Sequence, residues 1–484
     1  MSHASDASGY ATLGWGVFLI LALTAILIVA GLPLGPITVL GGVVAVLFAY
    51  AYPYIALGLM ALLIPFLGIF VHIPADALSI GARVFGGSID FLLGELVAYI
   101  LLIVWGMKVI ALWISRGDSN WKPWFPLFGP MLLVVAAHLL TIWSPFQPDA
   151  LLVIKYTIRP VLFCYLIYVA LPVNFIRSRR RLKSILGIVV ATGIFSALIG
   201  FVSLFSSQNA GQLFPRATPL PMFGVHPIGD NHNVLAEWLA VCVPATMALW
   251  LLVSSSRIKR LLVLAAVFQV MIGLLTFART YWIVFAAEVF LAGWLVWREQ
   301  LRRFVPYVGI GLLLLLPLGA LMAAFSSTAL VASSTSTRFM MAEIAISLWQ
   351  QSPWIGAGAG TFVDRIGSTA LFTIEYGNPL DAHGWLQKLF AETGVIGFAA
   401  VAWFVWSAFQ LVRSSLRSTF THAQMHVERT VILFLSIGAI GALIYQLFNT
   451  NYWTGKMWFA LGLLIAATRA LASSHASYDD AERS

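Results

Sequence analysis

Three sets of side chains in this sequence have the types and spacing for chemistry. His383 stands where a long polar stretch meets an apolar one, in Asp381-Ala382-His383-Gly384-Trp385-Leu386-Gln387, running on through Glu392-Thr393-Gly394-Val395-Ile396-Gly397-Phe398. A histidine titrates near neutrality and can take a proton from a hydroxyl in a transfer reaction, so His383 is the candidate catalytic group. Gln387 lies one helical turn further on. Glu392 falls on the opposite face of a helix that turns about 100° per residue, so it can meet the histidine only if His383 precedes the helix. The second set is Thr276-Phe277-Ala278-Arg279-Thr280-Tyr281-Trp282, which joins two apolar runs with almost no loop. Arg279 is thereby fixed between two helices. It either snorkels to the interface or presents a planar fork that matches a diphosphate or carboxylate. The third is Lys155 and Arg159, four positions apart on one helix face and able to extend the same basic surface.

Other motifs carry weaker signals. Gly356-Ala357-Gly358-Ala359-Gly360-Thr361-Phe362 has the glycines of a phosphate loop but follows no strand and lacks the Lys-Ser/Thr pair. It reads as a tight turn after a helix stopped by Pro353, with phosphate approach to its amides as the lesser alternative. Glu288 lies near the middle of its apolar run, where an acidic residue is costly and suggests a proton or ion path. Glu95, Glu237 and Glu392 lie nearer the ends of theirs. His138 reads as a hydrogen-bonded structural histidine.

The elements that must position these groups are membrane spans. The chain has 484 residues, 60% hydrophobic and 10% charged, with mean hydropathy +0.91. Its apolar residues come in runs of about 18 to 25, the mark of a polytopic helical membrane protein. About fourteen spans are expected, beginning near Leu13, Leu34, Tyr54, Phe91, Phe125, Leu151, Leu182, His232, Leu261, Tyr281, Phe304, Trp385, Val431 and Trp453. Prolines in the first three make twelve the alternative. Met1 to Tyr10 contains no basic residue, so the first run reads as a span and not a signal peptide. Cys164 and Cys242 sit inside apolar runs and read as packing residues.

The net charge of +9 does not require nucleic acid. With both termini cytoplasmic, the clusters RSRRRLK, SSSRIKR and WREQLRR fall on the cytoplasmic side, as the positive-inside rule requires. Nine basic residues are left on the outer side: Arg83, Lys155, Arg159, Arg216, Arg279, Arg338, Arg365, Lys388 and Lys456. The expected organisation is a transmembrane bundle over 1–325 with outer loops at about 71–90 and 206–231, a large outer loop over 326–384, transmembrane helices over 385–472, and a disordered tail over 473–484. Within the large loop, Thr337 to Gln350 reads as an amphipathic helix on the outer surface, with Phe339, Ala342, Ile346 and Trp349 packed on the spans.

Four segments in order resemble the O-antigen ligase and polysaccharide polymerase superfamily of bacterial inner-membrane glycosyltransferases. Asp230-Asn231-His232-Asn233-Val234-Leu235-Ala236 is similar to the family's Asn-x-Leu-Ala helix start. Thr276-Phe277-Ala278-Arg279 is similar to its Thr-x-Ser-Arg turn, with Ala278 in place of serine. Arg338 followed by Ser352-Pro353-Trp354-Ile355-Gly356-Ala357-Gly358 resembles its Arg, helix, Pro-Leu-x-Gly-x-Gly. His383 to Phe398 resembles its His-Asn-x-x-Leu-x-x-x-x-Glu-x-Gly-x-x-Gly, with Gly384 in place of asparagine.

The resemblance implies an all-α fold of the lipid-linked glycosyltransferase type in the bacterial inner membrane. It implies a glycan donor on undecaprenyl diphosphate and a sugar-hydroxyl acceptor, on lipid A core for a ligase or on a growing chain for a polymerase. Neither metal nor other cofactor is implied, and other polysaccharide-assembly proteins are candidate partners. Carried over by position, Arg279 becomes the leading diphosphate ligand with Arg216 and Arg338 next and Lys155 and Arg159 behind, His383 the catalytic group, and Asn233, Gln387 and Glu392 supporting residues. Two other readings of the chain are a transporter using Glu288 and a non-catalytic assembly subunit.

Overall fold

The computed structural model describes residues 36–74, 88–114, 123–146, 149–206, 209, 215–222, 224–298, 329–368, 383–418, 425–449 and 454–483. The apolar runs within them fold as helices: α1 (Pro36–Ala51), α2 (Pro53–Leu63), α3 (Leu93–Ile114), α4 (Phe128–Leu140), α5 (Ala150–Phe175), α6 (Arg179–Ser203), α7 (His232–Leu252), α8 (Ser256–Leu275), α9 (Arg279–Leu295), α10 (Ala329–Gln351), α11 (Phe362–Gly367), α12 (Trp385–Ser418), α13 (His426–Gln446) and α14 (Lys456–Arg483). One short antiparallel hairpin, β1 (Phe70–Pro74) with β2 (Ser88–Leu92), pairs His72 with Asp90.

Among the described residues seven helices are long and apolar enough to cross a membrane: α3, α5, α6, α7, α8, α12 and α13. The end of α1 and α2 would make an eighth as a bent pair, at 113° to each other. Pro53 opens α2 and has no N–H to continue the ladder of α1. The 17-residue α9 and the short α4 take the places of two further expected spans, and α14 begins where the last was expected. The runs at Leu13 and Phe304 lie outside the described residues. The chain is an all-α, multi-pass membrane protein. α14 runs from Lys456 to Arg483.

The chain clusters into two compact units. One comprises Met1–Pro126, Cys164–Ala278 and Trp458–Ser484, the other Leu127–Phe163 and Arg279–Met457. In the first, α6, α7 and α8 pack side by side around small and polar residues. The Trp238 indole donates to the Thr192 hydroxyl at 3.2 Å, and the Thr246 hydroxyl donates to Gln269 at 3.1 Å. Gly193 lets the helices close, since a Cβ there would meet Cys242 and the Gln269 amide at 2.7 to 2.8 Å. Small residues and interhelical hydrogen bonds are what hold helices together where lipid removes the hydrophobic drive.

In the second unit, α4 and α10 pack on α12 and α9 packs on α13. Met341, Ala345, Leu348, Ala357, Phe362, Ile366 and Ala391 form a buried core between α10, α11 and α12. The amphipathic helix begins earlier than its sequence suggests, and its packed stripe differs from the expected one. Phe339 is 69% exposed and Ile346 52%, and the buried face is rotated by roughly 100° about the helix axis. Both faces of α10 are apolar, and periodicity alone does not tell which one the protein covers.

α12 is broken near its start. Gly394 has φ 61 and ψ −160, outside helical values. The break is held by the chain leaving α10: Ala357 N–H donates to Ala391 O at 2.8 Å and Gly358 N–H to Glu392 O at 3.0 Å, while Val395 N–H donates to Pro353 O at 2.9 Å and Ile396 N–H to Trp354 O at 3.1 Å. The carbonyls and amides freed by the break are thus satisfied by the loop. A Cβ on Gly394 would meet the Trp354 carbonyl at 2.5 Å, so only glycine fits both the dihedrals and the space. Gly394→Ala is expected to cost about 1–3 kcal/mol, read as a lower thermal midpoint in detergent. Gly42→Ala, at an open helical position, should be neutral or stabilising in the same measurement.

Candidate functional site

His383 sits in a bend, half-buried, two residues ahead of Trp385 where α12 begins. His383 thus precedes the helix, which is the condition for a contact from Glu392. Its carboxylate accepts the Phe362 N–H at 3.0 Å and pairs with Lys388 Nζ at 3.9 Å, both side chains buried. Glu392 therefore fastens the glycine loop to α12.

The loop itself is closed to phosphate. Gly356 N–H donates to Ser352 O, Ala357 and Gly358 to α12, Ala359 to the Thr141 hydroxyl at 3.0 Å, Thr361 to Gly358 O and Phe362 to Glu392. These amides are used internally, so a cradle of free N–H groups is not what the glycines provide. They provide positive φ at Gly356, Gly358 and Gly360 and close approach to α12 and to the Tyr156 ring.

Arg279 is the first residue of α9. The turn before it is tight: Phe277 takes φ 51, the Thr276 hydroxyl donates to Gly273 O at 2.6 Å, and it accepts the Ala278 N–H at 3.2 Å. A helix start leaves N–H groups without intrahelical partners, which adds to the positive character at Arg279. Arg338 projects from α10. Burial pushes its guanidinium pKa down, Arg279 pushes it the same way, and Tyr445 of α13 opposes them. Arginine nonetheless stays charged near neutral pH. Two guanidinium groups on separate helices are thus held within electrostatic reach of each other. Arg338 Nε is buried and has no hydrogen-bond partner among the described residues.

The end of α13 ties this pair to the histidine segment. Tyr445 is fully buried, and Leu447, two residues on, lies against Gly384, where a Cβ would meet its carbonyl at 2.7 Å. That contact accounts for glycine at 384, since the end of α13 occupies the space a side chain would need. Gln387 lies over the same glycine, and its Oε1 is buried without a partner among the described residues.

Lys155 and Arg159 form a separate group. They lie within electrostatic reach of one another on α5. Lys155 Nζ is 5.8 Å from the Tyr156 ring centre and Lys388 Nζ is 5.6 Å from it. Arg216 and Asn233 belong to the first unit. Asn209 clamps the backbone of Arg216, accepting its N–H at 2.9 Å and donating to its carbonyl at 2.9 Å. Ala217 N–H donates to Leu275 O at 2.9 Å, at the end of α8. Asn231, not Asn233, caps α7, accepting the Asn233 N–H at 2.8 Å. Glu288 is buried on α9 against Gly441 of α13. His138 is bonded through Nδ1 to Val134 O at 2.8 Å.

Sequence reading missed Tyr445 and Tyr156. A weak signal existed for Tyr445, since Tyr445-Gln446 and Asn449 put polar groups at the end of an apolar run. Tyr156 sat between two residues already singled out, but nothing marked its ring as their platform.

These features define a multi-pass helical membrane protein with paired cations and a histidine in one unit. Residues 264–402 match the family model described as O-antigen ligase, so this stretch is similar to that family. The match contains Arg279, Arg338, His383, Gln387 and Glu392, and leaves Lys155, Arg159, Arg216 and Asn233 outside it. A search of curated proteins finds no match to the chain.

The Lys388–Glu392 pair makes a direct test of this architecture. Glu392→Ala leaves a buried ammonium and a loop amide uncompensated and is expected to cost about 3–5 kcal/mol. Replacing both, Lys388→Met with Glu392→Gln, should recover much of the loss, as measured by thermal unfolding of the purified protein.

Proposed function

We propose that this protein transfers a glycan from a polyprenyl diphosphate to a sugar hydroxyl at the periplasmic face of the bacterial inner membrane, as an O-antigen ligase or a polysaccharide polymerase. The observation that carries the reading is the Arg279–Arg338 pair within the stretch similar to the O-antigen ligase family. Two cations brought together at a helix start suit a polyanionic leaving group. His383, linked to them through the end of α13, takes the proton of the acceptor hydroxyl as its oxygen bonds to the anomeric carbon. The bond from that carbon to the diphosphate oxygen breaks, and the diphosphate leaves with its charge held by the arginines. A diphosphate needs charge stabilisation more than a strong base, so arginines and a neutral histidine suffice. By their positions in the sequence, Arg216 is a further candidate for the donor's charge, and Asn233 and Gln387 are positioning residues.

His383→Ala is expected to slow transfer by about 10²–10⁴-fold, and Arg279→Lys to remain impaired because a point charge lacks the two-pronged fork. The measurement is the length and amount of surface polysaccharide in cells whose membranes hold the variant at wild-type level. Unchanged polysaccharide in both variants overturns the assignment. Deleting the gene separates the two activities: single repeat units left on the carrier indicate a polymerase, and full-length polymer left on it a ligase.

A further inference from the structure

Two groups of cations stand out in this unit. Arg279 and Arg338 lie on α9 and α10 within electrostatic reach of each other, with Tyr445 near Arg338. Lys155 lies on α5 one turn from Arg159 and shares the Tyr156 ring with Lys388 of α12. The second group has features that packing alone does not require. Lys155 and Arg159 are half-buried and, one helical turn apart, lie within electrostatic reach of each other. Between them α5 changes form, running as an α-helix to Thr157 and as a π-helix over Ile158–Phe163. Pro160 supplies the cause, because it has no N–H to donate and its ring displaces the Tyr156 carbonyl four residues back. Such widened turns cluster at functional sites. Tyr156 is shared by both ammonium groups, which lie 5.8 and 5.6 Å from its ring centre, and Gly360 packs on it. The buried Lys388 follows His383 by little more than one helical turn, and its N–H donates to Gly384 O at 3.2 Å. The group is therefore built onto the same helix start that carries the histidine.

We infer that Lys155 and Arg159 form a second anion subsite, one that binds an acidic group of the glycan substrate beside His383 and not the donor's diphosphate. The group recognised is a uronate carboxylate or a phosphate ester on a sugar near the reacting hydroxyl. Tyr156 and Lys388 act as positioning residues that hold Lys155 in place. This inference rests on the glycan-transfer reading and says where the charge of the glycan is read.

The test uses the purified full-length protein and two oligosaccharides, one containing glucuronate and the same one with its carboxyls reduced to alcohols. A third probe, a phosphorylated neutral oligosaccharide, separates the two acidic sources. The wild type is expected to bind at least one acidic probe about tenfold or more tightly than the reduced one, as loss of a charge-assisted contact would require. Lys155→Met with Arg159→Gln should abolish that preference, and Lys155→Arg with Arg159→Lys should keep it, which controls for folding. Arg279→Gln should also keep it. No acidic preference in the wild type overturns the inference, as does a preference that survives in the Met/Gln variant. Loss of the preference in Arg279→Gln overturns it too, by placing the acidic sugar at the arginine pair. If acidic preference behaves as expected while Arg279→Gln transfers glycan normally in cells, the subsite stands and the assignment of the diphosphate falls.

Discussion

Four backbone hydrogen bonds between the loop after α10 and the break in α12 organise the second unit. Two run from loop amides to α12 carbonyls and two from α12 amides to loop carbonyls. A helix broken near an apolar environment would otherwise strand its amides and carbonyls, each costly when buried. The loop can approach only because Gly356, Gly358 and Gly394 adopt positive φ. The Lys388–Glu392 pair adds a buried ionic fastening to the same junction. Through it α10, which carries Arg338, and the first segment of α12, which follows His383, become one rigid piece.

That rigidity has an electrostatic purpose on the proposed reading. Burial first and the nearby Arg279 second disfavour the charge on Arg338, as its lowered pKa expresses. A bound polyanion would offset both. In glycan transfer from a diphosphate, the barrier lies largely in the charge that develops on the leaving group. Preorganised cations lower it without reorganising at the moment of reaction. The histidine then has the lighter task of accepting one proton. The second cation group on α5 divides the labour further, leaving Arg279 and Arg338 to the phosphates and Lys155 with Arg159 to the sugar.

Much of this was legible from residue order alone. His383 at the head of its helix, Arg279 pinned between two helices and the glycine turn after Pro353 were all read correctly as local features. Local rules suffice for them, because histidine, arginine, glycine and proline each constrain their own surroundings. The packed face of α10 was not legible. In a soluble protein an apolar stripe marks the core, but here Phe339 and Ile346 on the exposed side are as apolar as Met341 and Leu348 on the buried one. The contacts of Glu392 with Phe362 and Lys388 were not legible either. They depend on a helix break that helical periodicity does not reveal. The approach of Arg338 to Arg279 and to Tyr445 is tertiary, and no spacing in the chain announces it.

The central claim is that Arg279 and Arg338 are held together for a polyanion. The most direct measurement is the thermal midpoint of the purified wild type and of Arg338→Gln, each with and without pyrophosphate. The account predicts that Arg338→Gln is at least as stable as the wild type without the anion, because the repulsion is relieved, and that it loses most of the stabilisation pyrophosphate gives the wild type. A variant that is less stable alone yet gains as much from pyrophosphate as the wild type would contradict it.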